Sequence, residues 1–316
     1  MTATGAILVI GATGTTGSRT AAQLVAAGHR VKAAGRRGAP IPGAEPVRFD
    51  WYDPTTFADA LNGADRLYLI PPLGDPDPAA VMLPFLHQAR AAGVHRSVLL
   101  SSSAIPEGGP AVGAVHQALP SLFDQWAVLR PSWFMQNFTG AHAHADSIRT
   151  EGVIRTAAGN GRVGFVDADD IAAVAARALT DDRAPNAGLV LTGPDALSHD
   201  DIAEIATQVS GRPVVHHHLT YEQMRDRLAA VMPLEFATML AGMDRAIADG
   251  AEDRTTDTVQ RLTGRPPRSF RLVAERELAR DSRHRAPTPA PTPTPSPSPS
   301  PSPSPSPSPQ PAAEGV

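Results

Sequence analysis

The chain has 316 residues, 42% of them hydrophobic and 19% charged, and its 28 Lys+Arg against 32 Asp+Glu give a formal net charge of -4. With no basic block it lacks the electrostatic footprint of phosphate-backbone binding, which excludes nucleic acid as a primary partner. The absence of cysteine excludes disulfides, thiolate metal sites and thiol nucleophiles, and no apolar run approaches the roughly 18 residues that would span a bilayer.

Met1 to Ile10 carries no basic leader and runs straight into a glycine fingerprint, so it reads as a first strand and not a secretory signal, and a cytoplasmic location is expected. The wholly apolar Ala6–Ile10 suits a strand buried on both faces, and Ser18–Ala27 suits a helix closed by Gly28. Further strands are predicted at Val31–Ala34, Pro46–Phe49 and Arg66–Ile70, with a helical stretch over Pro54–Leu61 before the last of them. An Ala-rich helix over Ala79–Ala92, a strand at Ser97–Ser101, a helix around Gly113–Leu119 and a strand at Trp126–Leu129 continue the alternation. Six strands alternating with helices predict an α/β fold, a doubly wound parallel Rossmann sheet.

Beyond Pro131 the rhythm loosens. Asp169 is a predicted cap for a helix through Asp170–Leu179, Leu189–Thr192 reads as a strand, and Ser198 with Asp201 forms a capping-box variant for a helix ending near Gly211. The mostly helical segment from Tyr221 to Leu262, broken at Pro233, is expected to form a small substrate-covering lobe. In the last stretch, 13 of the 32 prolines alternate with Thr, Ser and Ala from Pro287 to Pro311, a pattern that builds no core and reads as a disordered, polyproline-II-like tail. The expected division is 1–135 for the dinucleotide-binding domain, 136–285 for a smaller lobe interleaved with the sheet, and 286–316 for the tail. No oligomerisation motif stands out, so a monomer or weak dimer is expected.

Between the first strand and helix, Gly11, Gly14 and Gly17 permit a tight turn and close approach of a pyrophosphate to the helix N-terminus. At the end of the second strand, where an acid would accept from a ribose 2′-hydroxyl, stand Arg36 and Arg37; guanidinium groups there complement a 2′-phosphate, so NADPH is expected over NADH. Asp50 after the third strand is placed to accept from the adenine amino group, with Trp51 as an apolar flank, although a turn role for Asp50 stands nearly equal.

These segments, together with Leu129–Asn137, Val163–Ile171 and Leu191–Ser198, resemble the NmrA-like atypical short-chain dehydrogenase/reductase family over about residues 5 to 270. Within it, Trp133–Asn137, the run from Glu151 to Asp170 and Thr263–Pro267 look most like the ergot-alkaloid reductase branch. The resemblance implies that Gly11, Thr13, Gly14, Thr16 and Gly17, with Thr15 among them, form the phosphate loop and that Arg36 meets the 2′-phosphate. It further implies that Ile70, Pro71 and Pro72 and the run Ser101, Ser102 and Ser103 flank the nicotinamide, and that Pro131, Trp133 and Phe134 close over it.

One departure bears on mechanism. Carbonyl-reducing members of this superfamily use a Tyr-x-x-x-Lys pair, and Gly108 and Val112 occupy those two places here, while His116 falls where NmrA-like proteins often carry glutamate. The expected reaction is therefore direct hydride transfer from NADPH to an activated acceptor, an iminium, enone or quinone-like hydrophobic small molecule of secondary metabolism. Ser102, Ser103 and His116 are the candidate polar or proton-relay groups. Met135, Asn137 and Phe138, with Met232, Phe236 and Met239 from the later lobe, are candidate pocket walls, set against a core-filling role for each. The alternative implied by the family is an NADP(H)-sensing regulator without turnover. No metal site is expected: in His216–His218 adjacent strand residues face opposite ways, and no acid of suitable spacing accompanies them. The acids Asp167, Asp169 and Asp170 read as helix capping.

Overall fold

Five consecutive apolar residues form β1 (Ala6–Ile10), which is buried along its whole length. The computed structural model describes residues 5–38 and 40–284, so the alternating-proline tail lies outside the described residues. Around β1 a seven-stranded sheet is assembled from β2 (Val31–Gly35), β3 (Glu45–Arg48), β4 (Ala64–Leu69), β5 (Arg96–Leu100), β6 (Gln125–Pro131) and, after an intervening β7 (Val153–Thr156), β8 (Ala187–Leu191). The order is β3-β2-β1-β4-β5-β6-β8 and every pairing is parallel. It is the doubly wound arrangement, with a reversal of strand order between β1 and β4.

Parallel strands need crossovers, and helices supply them on both faces. Strand alternation sends Leu8 and Ile10 to one core and Ile7 and Val9 to the other. The first core is aromatic: Phe49, Trp51, Phe57 and Phe85 pack edge-to-face or stacked at centroid distances of 4.9 to 5.4 Å. It is covered by α2 (Phe57–Leu61), α3 (Ala79–Ala91) and α4 (Gly113–Leu122). The second includes small and β-branched side chains, among them Ala21, Val174, Ala175 and Ala178, which let α1 (Thr15–Ala26) and α7 (Ala168–Thr180) lie close together. Thus α7 and β8, from beyond residue 135, complete the sheet layers.

A smaller lobe holds α5 (Gln136–Thr139), α6 (Ala143–Glu151), β7, α8 (His199–Ser210), β9 (Val215–His218), α9 (Tyr221–Ala229), α10 (Leu234–Ala248), α11 (Thr258–Thr263) and α12 (Phe270–His284), although α11 also packs on α7 of the sheet layer. Its core joins Phe138, Ile154, Phe165, Ile202, Phe270 and Val273. The capping box at Ser198 and Asp201 forms as expected. The cap of α7 does not: Asp167, not Asp169, occupies the N-cap, accepting from the Asp169 N–H. Asp169 instead pairs with Arg19 at 3.0 Å and Arg276 at 2.7 Å, and Asp170 with Arg268. Two further differences are the parallel pair β7-β9 and the helix α12, neither of which the periodicity signals.

Candidate functional site

The reversal of strand order opens a crevice at the carboxyl ends of β1 and β4, the place where such sheets take ligands. Gly11 ends β1 with a positive φ of 73°, and its backbone lies so near β4 that an added Cβ would stand 3.1 Å from the Ile70 side chain. The loop then turns on a Gly14 N–H to Gly11 carbonyl bond of 2.9 Å. Gly14 caps α1 without any side-chain hydrogen bond, so the first-turn N–H groups are left for an anion, and the helix dipole favours negative charge there. Gly17 is the tightest of the three loop glycines: a Cβ would sit 2.2 Å from the Gly11 carbonyl oxygen.

Arg36 and Arg37 are the exposed centre of a turn closed by the Gly38 N–H on the Gly35 carbonyl at 3.0 Å. With Thr13 and Gly38 they line a cavity of about 470 Å³ beside the glycine loop. Glycine loop and guanidinium groups thus share one cleft. An uncapped helix N-terminus, a cradle that a Cβ would fill and two exposed arginines fit an anionic dinucleotide.

Asp50 accepts from the Tyr52 N–H at 3.1 Å, the turn role considered for it from sequence. The structure corrects Trp51: its ring is buried in the aromatic core, with Nε1 donating to the Ile70 carbonyl at 3.0 Å. It therefore anchors the end of β4, with Pro71 and Pro72 following half-buried, and does not flank an adenine.

At the neighbouring strand ends, the Ser101 N–H bonds the Leu129 carbonyl at 2.7 Å while its buried Oγ has no partner. Arg130 holds the next turn by donating to the carbonyls of Ser102 and Ser103. The Ser102 Oγ caps this turn by accepting from the Ala104 N–H. The Ser103 Oγ donates to Glu252 at 2.9 Å, and both residues are buried. Glu252 follows α10 and escaped the sequence reading, since nothing local marks an acid in an Ala-Glu-Asp run as the partner of a serine 149 positions away. The same segment is fastened to β8 by Thr256, whose N–H donates to Thr192 Oγ1 at 2.8 Å and whose hydroxyl donates to the Val190 carbonyl at 2.9 Å.

Pro131 accepts from the Ser103 N–H at 2.9 Å, and the chain continues as an extended edge in which Phe134 bridges Val166. Trp133 and Phe134 stay half-buried above the strand ends. Met135 and Phe138, each 1% exposed, belong to the core of the small lobe, so the structure removes them from the pocket wall. Asn137 is half-buried, its N–H on the Phe134 carbonyl at 3.1 Å. Met232 is half-buried, and Phe236 and Met239 are exposed on α10 beside exposed Leu234 and Val231.

His116 is also corrected. It is buried at 3% exposure against Gly188 and 6.3 Å from the Trp126 ring, toward the amino-terminal part of β6 and β8. Among the described residues it makes no hydrogen bond or ring contact with Ser102 or Ser103, and burial pushes its pKa down. It is a packed histidine. The chain's single lysine, Lys32, is equally removed: it is buried in β2, and its Nζ donates to the Asp59 and Asn62 carbonyls at 2.7 and 2.9 Å, closing the end of α2. Finally, adjacent residues of β9 do face opposite ways, but His216 and His218 lie two apart and so share a face, and Asp200 of α8 meets both, which overturns the expectation that no acid accompanies this run.

A family model described as NAD(P)H-binding matches residues 11–182, and that of the NmrA-like family matches residues 123–264. The chain is 46% identical to the uncharacterized oxidoreductase YesF of Bacillus subtilis over 84% of its own length and 92% of the relative's. It is 36% identical to festuclavine synthase II of Penicillium roqueforti, over 86% and 98% of the two chains. Among solved structures, the triphenylmethane reductase of Citrobacter sp. superposes with a TM-score of 0.71 at 25% identity, covering 87% of this chain and 99% of that one. A glycine loop at the switch point of a parallel sheet and relatives of this closeness lead to one conclusion: the chain belongs to the NmrA-like family of atypical short-chain dehydrogenases/reductases and is an NAD(P)H-binding oxidoreductase.

Proposed function

We propose that this oxidoreductase prefers NADPH and delivers hydride to a preformed electron-poor carbon of a hydrophobic, conjugated small molecule, without a protein group acting as proton donor. The observation that carries this reading is the fate of Lys32: the chain has no other lysine, and this one is locked on the carbonyls of α2, so no Tyr-Lys acid pair can form. Reduction of a carbonyl creates an alkoxide, and a positioned acid is worth about 10²- to 10⁴-fold in that step. An iminium carbon differs: hydride neutralises it, the former π pair stays on nitrogen, and no proton is consumed.

Bound in the crevice, a reduced nicotinamide supplies the hydride. The glycine loop and the first turn of α1 hold the pyrophosphate, and Arg36 and Arg37 read the 2′-phosphate. The Ser101–Ser103 turn, fixed by Arg130 and Glu252, shapes the floor at the reacting end, while Trp133 and Phe134 cover it and exclude water. Aromatic faces also attract a flat cation. The relatives support this acceptor class, since one is named for a festuclavine product and another for triphenylmethane dyes.

The test compares the wild type with Arg36→Glu in NADPH and NADH titrations, followed by turnover of an N-alkyl iminium salt, a quinone and a ketone. The expected result is NADPH preference that Arg36→Glu abolishes, with iminium or quinone consumed and the ketone inert. Equal losses for both cofactors, or a ketone reduced as fast as the iminium, would sink the proposal.

A further inference from the structure

Away from the crevice, in the small lobe, β9 runs parallel to β7 and offers three consecutive histidines. Strand alternation turns His216 and His218 to one face and His217 to the other. Facing that pair is the start of α8, where the capping box at Ser198 and Asp201 fixes the backbone and brings Asp200, the second helical residue, over β9. Asp200 Oδ1 lies 3.5 Å from His216 Nδ1, and Oδ2 lies 3.3 Å from His218 Nε2. One ligand atom from each of the three residues falls within 4.8 Å of the others.

We propose that Asp200, His216 and His218 form a binding site for a borderline divalent transition ion of the Zn²⁺ class, distinct from the reductase crevice. Two imidazoles and one carboxylate are the nitrogen and oxygen donors that such ions take, whereas Mg²⁺ and Ca²⁺ prefer oxygen alone. The spacing agrees with this. At metal-ligand bonds of about 2.0–2.2 Å, two ligand atoms of one ion stand at most roughly 4.4 Å apart, and the carboxylate, one oxygen toward each imidazole, lies within that limit of both.

A second observation is independent of the cluster's composition. The His216 side chain is fully buried, and its Nδ1 has no hydrogen-bond partner. On the other side of the ring, Nε2 lies 2.8 Å from Thr156 Oγ1. In the tautomer that donates Nε2–H to Thr156, Nδ1 presents a lone pair to the space between Asp200 and His218. An outer partner of this kind is what orients a ligating imidazole. Asp200 and His218 are about half exposed, at 49% and 46% of their side chains, so the ion has an entry path and an open position for water or an added ligand. A bound ion would cross-link the start of α8 to β9.

The experiment uses the full-length chain without an affinity tag, freed of metal by chelation. Calorimetric titration with ZnCl₂ is expected to show one saturable equivalent per chain, and CoCl₂ to give the visible d–d absorption of a four- or five-coordinate site. His218→Ala and Asp200→Asn both alter exposed side chains, and NADPH titration checks that each variant keeps its fold. Each is expected to weaken Zn²⁺ at least tenfold and to abolish the cobalt spectrum while leaving NADPH affinity unchanged. Absence of a saturable equivalent in the wild type, or the same affinity in both variants, would overturn the site.

Discussion

At Gly17 a single methyl group decides whether the glycine loop keeps its shape. An added Cβ would meet the Gly11 carbonyl at 2.2 Å, a backbone atom that cannot rotate away. Gly17→Ala is therefore expected to push α1 off the loop, weaken NADPH at least tenfold, and lower stability by about 1–3 kcal/mol, as overpacking does; fluorescence titration and urea unfolding read the two effects. Glycines of this kind are legible in sequence because no other residue fits the geometry. Side chains whose role depends on what lies opposite them are not. Trp51, Met135 and Phe138 look like pocket residues in a linear reading, yet each faces a core assembled from distant segments. Glu252 reaches Ser103 only because α10 returns the chain to the sheet edge.

Among the elements, β1, β2, β4, β5 and β6 and the intervening helices were predictable because short, largely apolar runs carry their own signal, whereas the mostly exposed β3 was marked only by its place in the alternation. The pair β7-β9 was not, since Val153–Thr156 and Val215–His218 are four residues each and one of them is mostly histidine. The cap of α7 differed by two positions because three acids cluster there and only Asp167 has the extended backbone of a cap. The helices α9 and α10 show why the small lobe invites a functional test: α9 has no buried residue, and α10 keeps Phe236 at 39% and Met239 at 47% exposure. Apolar side chains left in water on a helix surface are available to a hydrophobic ligand. The double substitution Phe236→Ser and Met239→Ser is expected to raise KM several-fold with kcat and the unfolding midpoint little changed. A fall in stability without a change in KM would assign these residues to packing instead.

For the molecule as a whole, pH couples to stability through buried groups in the small lobe. Burial pushes the carboxyl of Asp244 up to about 6, only partly offset by the Ala157 N–H that it accepts at 2.8 Å. Between the unfolded value near 3.9 and about 6 the folded chain holds the extra proton, so this group's contribution falls as pH rises, by about 1.4 kcal/mol per unit, and stays as a fixed cost above that window. His144 acts in the opposite sense: burial, reinforced by His142 and His216, pushes it down to about 4, so its contribution is lost as pH falls below about 6.5. Asp244→Asn is expected to be more stable than the parent at pH 7, with the gap closing on acidification toward pH 4; a gap that does not change with pH would refute this assignment.

The central claim is that hydride moves to an already activated carbon with no proton from the protein, in a crevice where Lys32 and His116 are both out of reach. Single-turnover stopped-flow oxidation of bound NADPH by a preformed iminium cation, followed from mildly acidic to mildly basic pH in H₂O and in D₂O, tests it most directly. The account predicts a rate independent of pH with no solvent isotope effect. A rate that follows one ionisation, with a clear slowing in D₂O, would show that a protein acid takes part and would contradict it.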